Sequence, residues 1–124
     1  MPDARIAQEN VPLPAFAKTA ALAAVGGQEA LLRQVAEVFL MHHTAVCRQL
    51  DQALADADHA QLREIAHDLK GMSASIGAQA LSSAARTVEA VVAFGASDDL
   101  DASVAAMRAE LERVRSVMAE VAQA

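Results

Sequence analysis

The sequence has no tryptophan or tyrosine, a single cysteine and no long apolar run, and each absence excludes a class of protein. Aromatic residues make up 2% of the 124 residues, so the core must be built from aliphatic side chains and methionine, a composition typical of helix bundles. Cys47 has no second cysteine to pair with, which excludes an internal disulfide and favours a reducing compartment. No stretch approaches the roughly 18 apolar residues of a membrane span. We therefore expect a soluble, cytoplasmic protein.

Basic residues are also scarce, with 10 Lys and Arg against 16 Asp and Glu and a formal net charge of −6. An acidic surface does not attract nucleic acid or an anionic membrane, so we expect neither as a partner. No two histidines stand four residues apart, and the sequence contains no HExxH motif and no Gly-rich phosphate loop. We therefore expect no metal site, no ATP site and no cofactor, and a protein as the partner.

The prolines are confined to the N-terminus. Pro2, Pro12 and Pro14 lie in residues 1–14, which have no regular apolar spacing, so this segment is interpreted as a flexible lead-in or linker. The remaining residues, 15–124, are enough for one domain. Met1 favours a free-standing protein, whereas the lead-in also permits a domain of a larger hybrid kinase.

From residue 15 onward, apolar residues recur at three- and four-residue steps, the pattern of amphipathic helices. Gly26, Gly77 and Gly95 are the predicted stops, while Asp58 and Ser97 are the predicted N-caps. The predicted helices run from 15 to 25, from 28 to 55, from Asp58 to Gly77, from there to Phe94, and from Ser97 through Met118. Four substantial helices with short turns and no strand-like alternation predict an all-α fold, an antiparallel four-helix bundle with a short extra N-terminal helix.

The second predicted helix has a wide apolar stripe that we expect to face the core. The same stripe includes His42, which we expect to be partly buried, whereas His43 is expected at the surface and Met41 in the core. The members of the stripe are Leu31, Leu32, Val35, Val38, Phe39, Val46, Leu50 and Leu54.

His67 lies on the third predicted helix and, at about 100° per residue, points away from its apolar stripe and into solvent. Arg63 and Lys70 lie about one turn to either side, so two cations flank the imidazole, an arrangement that suits an anion. Gly71 and Ala74 follow on the same face and keep the surface beside the histidine low, as a docking protein or a phosphoryl group requires. That stripe consists of Leu62, Ile65, Ala66, Leu69, Met72, Ser73 and Ile76.

The segment from His67 to Ala78, HDLKGMSASIGA, resembles the signature of histidine-containing phosphotransfer (HPt) domains, in which His, a hydrophobe, Lys, Gly, small residues and Gly-Ala recur at these spacings. The resemblance covers nearly everything from about residue 18 onward and excludes the N-terminal segment. Outside the signature it is carried by Val25-Gly26-Gly27, Leu31-Leu32, Phe39, Leu81 and Val88-Glu89-Ala90.

The resemblance implies that His67 Nε2 accepts a phosphoryl group from an aspartate of one receiver domain and passes it to another. A neutral imidazole is nucleophilic enough to do this without an activating base. Lys70 matches the family lysine beside the phosphoryl group, and Gly71 and Gly77 match the glycines that leave room for it. Glu89 matches the polar residue that holds the other ring nitrogen.

The resemblance also implies a monomeric phosphoryl carrier of a two-component phosphorelay, not a kinase. Its partners would be response-regulator receiver domains and a hybrid sensor histidine kinase, and Mg²⁺ would be supplied by the receiver. We expect Arg63, Gly71 and Ala74 to form the receiver-docking surface around His67.

Two other functions are compatible with an exposed histidine on a helical bundle. The first is the dimerising phosphoacceptor hairpin of a sensor histidine kinase, which Asp68 after His67 favours. Such hairpins usually have a proline shortly after the histidine, and none follows here. The second is a helical adaptor with an incidental histidine, but an adaptor predicts apolar residues around His67, where Gly71 and Ala74 stand instead.

Overall fold

Five α-helices make up most of the computed structural model, which describes residues 16–95 and 97–123. A single 3₁₀ turn, Ser97–Asp99, leads into the last helix, and no strand occurs within these ranges. The fold is the predicted antiparallel four-helix bundle with a short extra helix before it. The predicted segment 1–14 lies outside the described residues. The helices are α1 (Lys18–Ala24), α2 (Glu29–Ala55), α3 (His59–Ser75), α4 (Gln79–Phe94) and α5 (Leu100–Gln123).

The two predicted N-caps were Asp58 and Ser97, and the structure confirms only that Asp58 caps its helix. Asp58 caps α3, because its Oδ1 accepts a hydrogen bond from the Gln61 backbone N–H at 3.1 Å. The Asp58 N–H, which a full capping box would use, instead donates to the Ala53 carbonyl at 2.8 Å and closes the end of α2. Helix α5 begins at Leu100 and not directly after Ser97, because a 3₁₀ turn intervenes, as is frequent at helix N-termini.

The sequence also predicts inward residues Leu81, Ala85, Val88 and Val92 for α4 and Leu100, Val104, Met107, Leu111, Val114 and Met118 for α5. Most of these, together with the stripe of α3, form the core, whose large side chains are aliphatic or methionine. One polar residue is fully buried among them: Ser73, whose hydroxyl donates to the Leu69 carbonyl at 2.6 Å and is therefore satisfied. The largest fully buried side chains are Leu32, Leu50, Leu62, Leu81, Met107, Met118, Val88, Val114 and Ser73.

The prediction for α2 was wrong on one flank of the helix. Leu31 and Val38 are 39% and 53% exposed, Met41 is 75% exposed, and His42 is exposed too. His43 is instead half-buried, with its ring centroid 5.9 Å from that of Phe39. For Leu31, Val38 and His42 the reason is tertiary: α2 packs more extensively against α5 than against α3, so the flank that faces α3 is left uncovered. An open groove therefore runs between α2 and α3. Met41 is exposed because, nine residues from both Leu32 and Leu50, it lies on the opposite side of the helix from these buried residues.

Gly77, in the turn after α3, has a backbone conformation that other residues rarely adopt. Its φ is +78°, and a Cβ at this position would lie 3.2 Å from the Ala20 carbonyl oxygen of α1. Glycine is therefore required both by the left-handed conformation and by the close approach of α1.

Two glycine substitutions should change stability in opposite directions. Gly77→Ala should lower the free energy of unfolding by about 1–2 kcal/mol, because alanine is strained in the left-handed region. Gly71→Ala should raise it by up to about 1 kcal/mol, because Gly71 lies inside α3 and alanine is the better helix former. No heavy atom of the described residues lies within 4 Å of a Cβ built there. Urea denaturation of both variants tests this, and equal effects would contradict it.

Candidate functional site

His67 stands on the outward face of α3, where 66% of its side chain is exposed. The opposite side of the helix is anchored in the core by Leu62, Ile65 and Leu69, all at most 5% exposed. The sequence-based prediction that this histidine faces solvent is thus confirmed. A rigid, buried stripe on one side of α3 holds the imidazole at a fixed place on the other.

A carboxylate from the next helix holds one nitrogen of the ring. Glu89 Oε2 on α4 lies 3.1 Å from His67 Nδ1, and the Glu89 side chain is only 17% exposed. An ionised carboxylate can only accept, so Nδ1 carries the hydrogen and donates it. The neutral ring then has its lone pair on Nε2, the nitrogen away from Glu89. The contact therefore selects the tautomer in which the exposed nitrogen is the nucleophile.

Lys70 reaches the other oxygen of the same carboxylate. Its Nζ lies 2.7 Å from Glu89 Oε1 and forms an ion pair with it. This contact and, to a smaller extent, the His67 ring lower the pKa of Glu89 below its ordinary value of 4.5, although burial opposes the shift. The contribution of the ionised Glu89 to the stability of the folded protein is therefore fully present above pH 4.5. It is lost as the pH falls through the lowered pKa of Glu89.

The backbone of Lys70 is tied to α4 by a contact that sequence reasoning missed. The Ser82 hydroxyl of α4 donates to the Lys70 carbonyl at 3.3 Å, and the Ser73 hydroxyl of α3 also reaches this oxygen, at 3.1 Å. Both serines are buried. The sequence does show a serine on the inward side of each helix, Ser73 and Ser82, at positions where a small apolar residue is expected. A buried serine needs a hydrogen-bond partner, and this need could have indicated the contact. The Ser82 bond joins α4 to α3 where Glu89 bridges them, whereas the Ser73 bond lies within α3.

The remaining predicted site residues divide into two groups. Arg63, Gly71 and Ala74 are all exposed on the side of α3 that carries His67. Gly77 is not there: it lies ten residues beyond His67, about 15 Å along a helix at 1.5 Å per residue, in the turn that contacts α1. Its conformation and its contact with α1 account for this glycine without any part in phosphate binding.

The described residues contain neither a candidate metal site nor a candidate membrane-spanning helix. Within residues 16–95 and 97–123, no group of three or more His, Cys, Asp or Glu side chains is arranged to hold a metal ion. None of the helices described for this chain is both long enough and apolar enough to cross a membrane.

The fold and site define an all-α bundle that presents an exposed histidine beside a lysine and a partly buried carboxylate. The sequence matches the family model of the Hpt domain over residues 34–117. This chain belongs to the Hpt domain family, whose members act in histidine phosphotransfer in two-component signalling. Searches of curated proteins and of solved structures returned no significant match. The matched range contains His67, Lys70 and Glu89.

Removal of the Glu89 carboxylate should change the tautomer of His67. In the wild type, ¹H–¹⁵N NMR of the neutral ring should show the hydrogen on Nδ1, because Glu89 accepts it. Glu89→Ala should produce a mixture of tautomers, whereas Glu120→Ala, which removes an exposed carboxylate of α5, should leave the wild-type spectrum. An unchanged tautomer in Glu89→Ala would show that the 3.1 Å contact does not orient the ring.

Proposed function

We propose that this chain is a phosphoryl carrier of a phosphorelay: His67 Nε2 accepts a phosphoryl group from an aspartyl phosphate of one receiver domain and passes it to an aspartate of another. The observation that carries the proposal is the hydrogen bond between His67 Nδ1 and Glu89 Oε2, which leaves Nε2 as the exposed nucleophile. Membership of the Hpt family supports it.

The chemistry needs no base from this chain. The Nε2 lone pair forms a bond to phosphorus, the P–O bond to the aspartate breaks, and its electron pair returns to the receiver's carboxylate. The hydrogen on Nδ1 stays in place, and Glu89 stabilises the positive charge that develops on the ring. In the reverse step the carboxylate attacks and the imidazole leaves. Because both groups are good nucleophiles and leaving groups, the transfer is reversible.

Lys70 supplies a positive charge close to the position that a phosphoryl group on His67 would occupy. In the resting protein its ammonium lies against Glu89 Oε1. A phosphoryl group on Nε2 adds negative charge within reach of the same side chain. Because the ammonium is carried on a flexible four-carbon side chain, it can turn towards the phosphoryl oxygens and stabilise them as charge builds up in the transition state.

The expected partners are response-regulator receiver domains, one of them belonging to a hybrid sensor histidine kinase. The chain is expected to act as a monomer in the cytoplasm and to need no cofactor of its own, with Mg²⁺ provided by the receiver's acidic pocket. The kinase-hairpin alternative is disfavoured because α3 is one unbroken helix from His59 to Ser75. The adaptor alternative leaves the bridge between His67, Glu89 and Lys70 unexplained.

Incubation with a ³²P-labelled receiver domain and Mg²⁺ should label His67, and His67→Gln should abolish the label. The phosphate should be acid-labile and base-stable, as phosphohistidine is. His67→Gln should change the free energy of unfolding by no more than about 0.5 kcal/mol, because the residue is exposed. His59→Gln, a change at another exposed histidine of α3, is the control and should label normally. Label retained in His67→Gln, or label acquired from ATP by the pure chain, would refute the proposal.

Two variants beside His67 should separate docking from chemistry. Gly71→Gln should fold at least as stably as the wild type but lose most transfer and receiver binding, because its side chain stands where the receiver must approach within bonding distance. Lys70→Ala should slow transfer by about 100- to 1000-fold, the scale of a lost electrostatic donor, and leave receiver binding nearly unchanged. Rapid-quench transfer and calorimetric binding distinguish the two. If Gly71→Gln bound the receiver as tightly as the wild type does, Gly71 would not be part of the docking surface.

A further inference from the structure

The polar contacts between α3 and α4 are concentrated on two residues of α3. Throughout these two helices, which lie within the described residues, each side-chain hydrogen bond or ion pair that joins them involves His67 or Lys70. His67 has one such contact, from Nδ1 to Glu89. Lys70 has two, because its Nζ lies 2.7 Å from Glu89 Oε1 and its carbonyl accepts from the Ser82 hydroxyl at 3.3 Å. Helix α4 therefore holds both ends of this lysine.

Ser82 and Glu89, the two α4 partners of Lys70, lie on the same face of their helix. They are seven residues apart, which is close to two helical turns and about 10 Å along the helix axis. Side chains of an α-helix lean towards its N-terminus, whereas the carbonyl groups point the other way. Because α4 runs antiparallel to α3, the Lys70 carbonyl meets Ser82 and the Lys70 side chain leans back towards Glu89 and His67. One face of α4 thus contacts the lysine at its backbone and at its charge.

Ser82 is buried, and the packing of the core does not require its hydroxyl. A buried hydroxyl needs a hydrogen-bond partner, whereas alanine has nearly the same shape, no polar group to satisfy and a higher helix propensity. The Lys70 carbonyl does not depend on Ser82 either, because the Ser73 hydroxyl also donates to it, at 3.1 Å. The distinct effect of the Ser82 hydroxyl is therefore the link that it makes from α4 to the backbone of Lys70.

The backbone at Lys70 adjoins a residue that favours movement. Gly71 comes next, inside α3, and glycine has more conformational freedom than any other residue. Lysine also carries its ammonium on a flexible four-carbon stem, so any shift of the backbone adds to the freedom of the stem. A misplacement of about 1 Å in a reacting site can cost about 100-fold in rate. A bond from the neighbouring helix to the Lys70 carbonyl limits this movement.

We propose that Ser82 is a positioning residue for phosphoryl transfer: by anchoring the Lys70 backbone to α4, its hydroxyl keeps the Lys70 ammonium within reach of a phosphoryl group on His67 Nε2. This inference rests on the proposed function, because it takes His67 as the phosphoryl acceptor and Lys70 as the group that stabilises the phosphoryl oxygens. Ser82 itself is buried and touches neither the phosphoryl group nor the receiver. Its contribution is made through Lys70 and disappears when the lysine side chain is removed.

A double-mutant cycle tests whether Ser82 acts through Lys70. The probe is the purified receiver domain from the same genome that loses its acetyl-phosphate-derived label fastest to the wild-type chain. Ser82→Ala should slow the transfer step by about 10- to 100-fold, the scale of a misplaced group, and leave the Kd for the receiver unchanged, because Ser82 is buried. In a Lys70→Ala background the same change should have no further effect. A wild-type rate in Ser82→Ala, or an equal loss of rate in both backgrounds, would overturn the inference.

Ser73→Ala is the matched control for Ser82→Ala. It removes the other hydroxyl that donates to the Lys70 carbonyl, but that bond lies within α3 and joins no second helix. This variant should therefore transfer at close to the wild-type rate, and urea denaturation should show that both serine variants are folded. If Ser73→Ala loses as much transfer as Ser82→Ala, the link to α4 has no special role and the inference fails.

The position of the ammonium also has a spectroscopic signature. Contact with Lys70 is the main cause of the lowered pKa of Glu89, so a displaced ammonium should let this pKa rise towards its ordinary value of 4.5. Titration of the Glu89 carboxylate by ¹³C NMR should show the rise in Ser82→Ala and not in Ser73→Ala. An unchanged pKa of Glu89 in Ser82→Ala would mean that Lys70 keeps its place without Ser82, contrary to the inference.

A small phosphoryl donor separates this inference from the proposed function. His67 Nε2 can attack the phosphorus of phosphoramidate, whose P–N bond breaks as the protonated nitrogen leaves as ammonia, and no receiver takes part. Ser82→Ala should slow this labelling too, and again only when Lys70 is present. If it does so but no receiver domain exchanges phosphate with His67, the carrier function fails and the positioning role of Ser82 stands. If receivers exchange phosphate with His67 but Ser82→Ala reacts with phosphoramidate at the wild-type rate, only the inference fails.

Discussion

The carboxylate of Glu89 is the group on which the site depends, because each of its oxygens holds one functional side chain. Oε2 accepts from His67 Nδ1, and Oε1 pairs with the Lys70 ammonium. The bridge spans two helices and so requires them to pack closely and in fixed register. Fully buried alanines, Ala66 on α3 and Ala85 on α4, permit the close approach, and the bond from Ser82 to the Lys70 carbonyl sets the register.

The same bridge is compatible with the proposed role of His67 as a phosphoryl carrier. Lys70 compensates the charge of Glu89, so the carboxylate orients the ring without standing as an isolated charge. In the proposed function, a phosphoryl group on Nε2 would compete with Glu89 for the Lys70 ammonium, and Glu89 would balance the charge on the ring.

The packing of α2 determines which flank of α3 is left open to solvent. Because α2 packs mainly on α5, α3 keeps one flank against α4, where His67 is held, and opens the other towards the groove. The His67 side chain and the groove therefore lie on two flanks of one helix. The buried stripe of α3 fixes their relative position.

The sequence alone determined the helices, the inward stripes of α3, α4 and α5, and the exposure of His67, because the helical period links spacing to direction within one element. The HDLKGMSASIGA signature also pointed to Lys70, and the wider family resemblance pointed to Glu89, as companions of His67. Only the tertiary structure decided the pairing of Lys70 with Glu89, the place of Gly77 beside α1, and the exposure of Leu31 and Val38. Those depend on which helix packs against which, and an apolar stripe specifies that a face prefers burial without specifying whether a neighbour covers it.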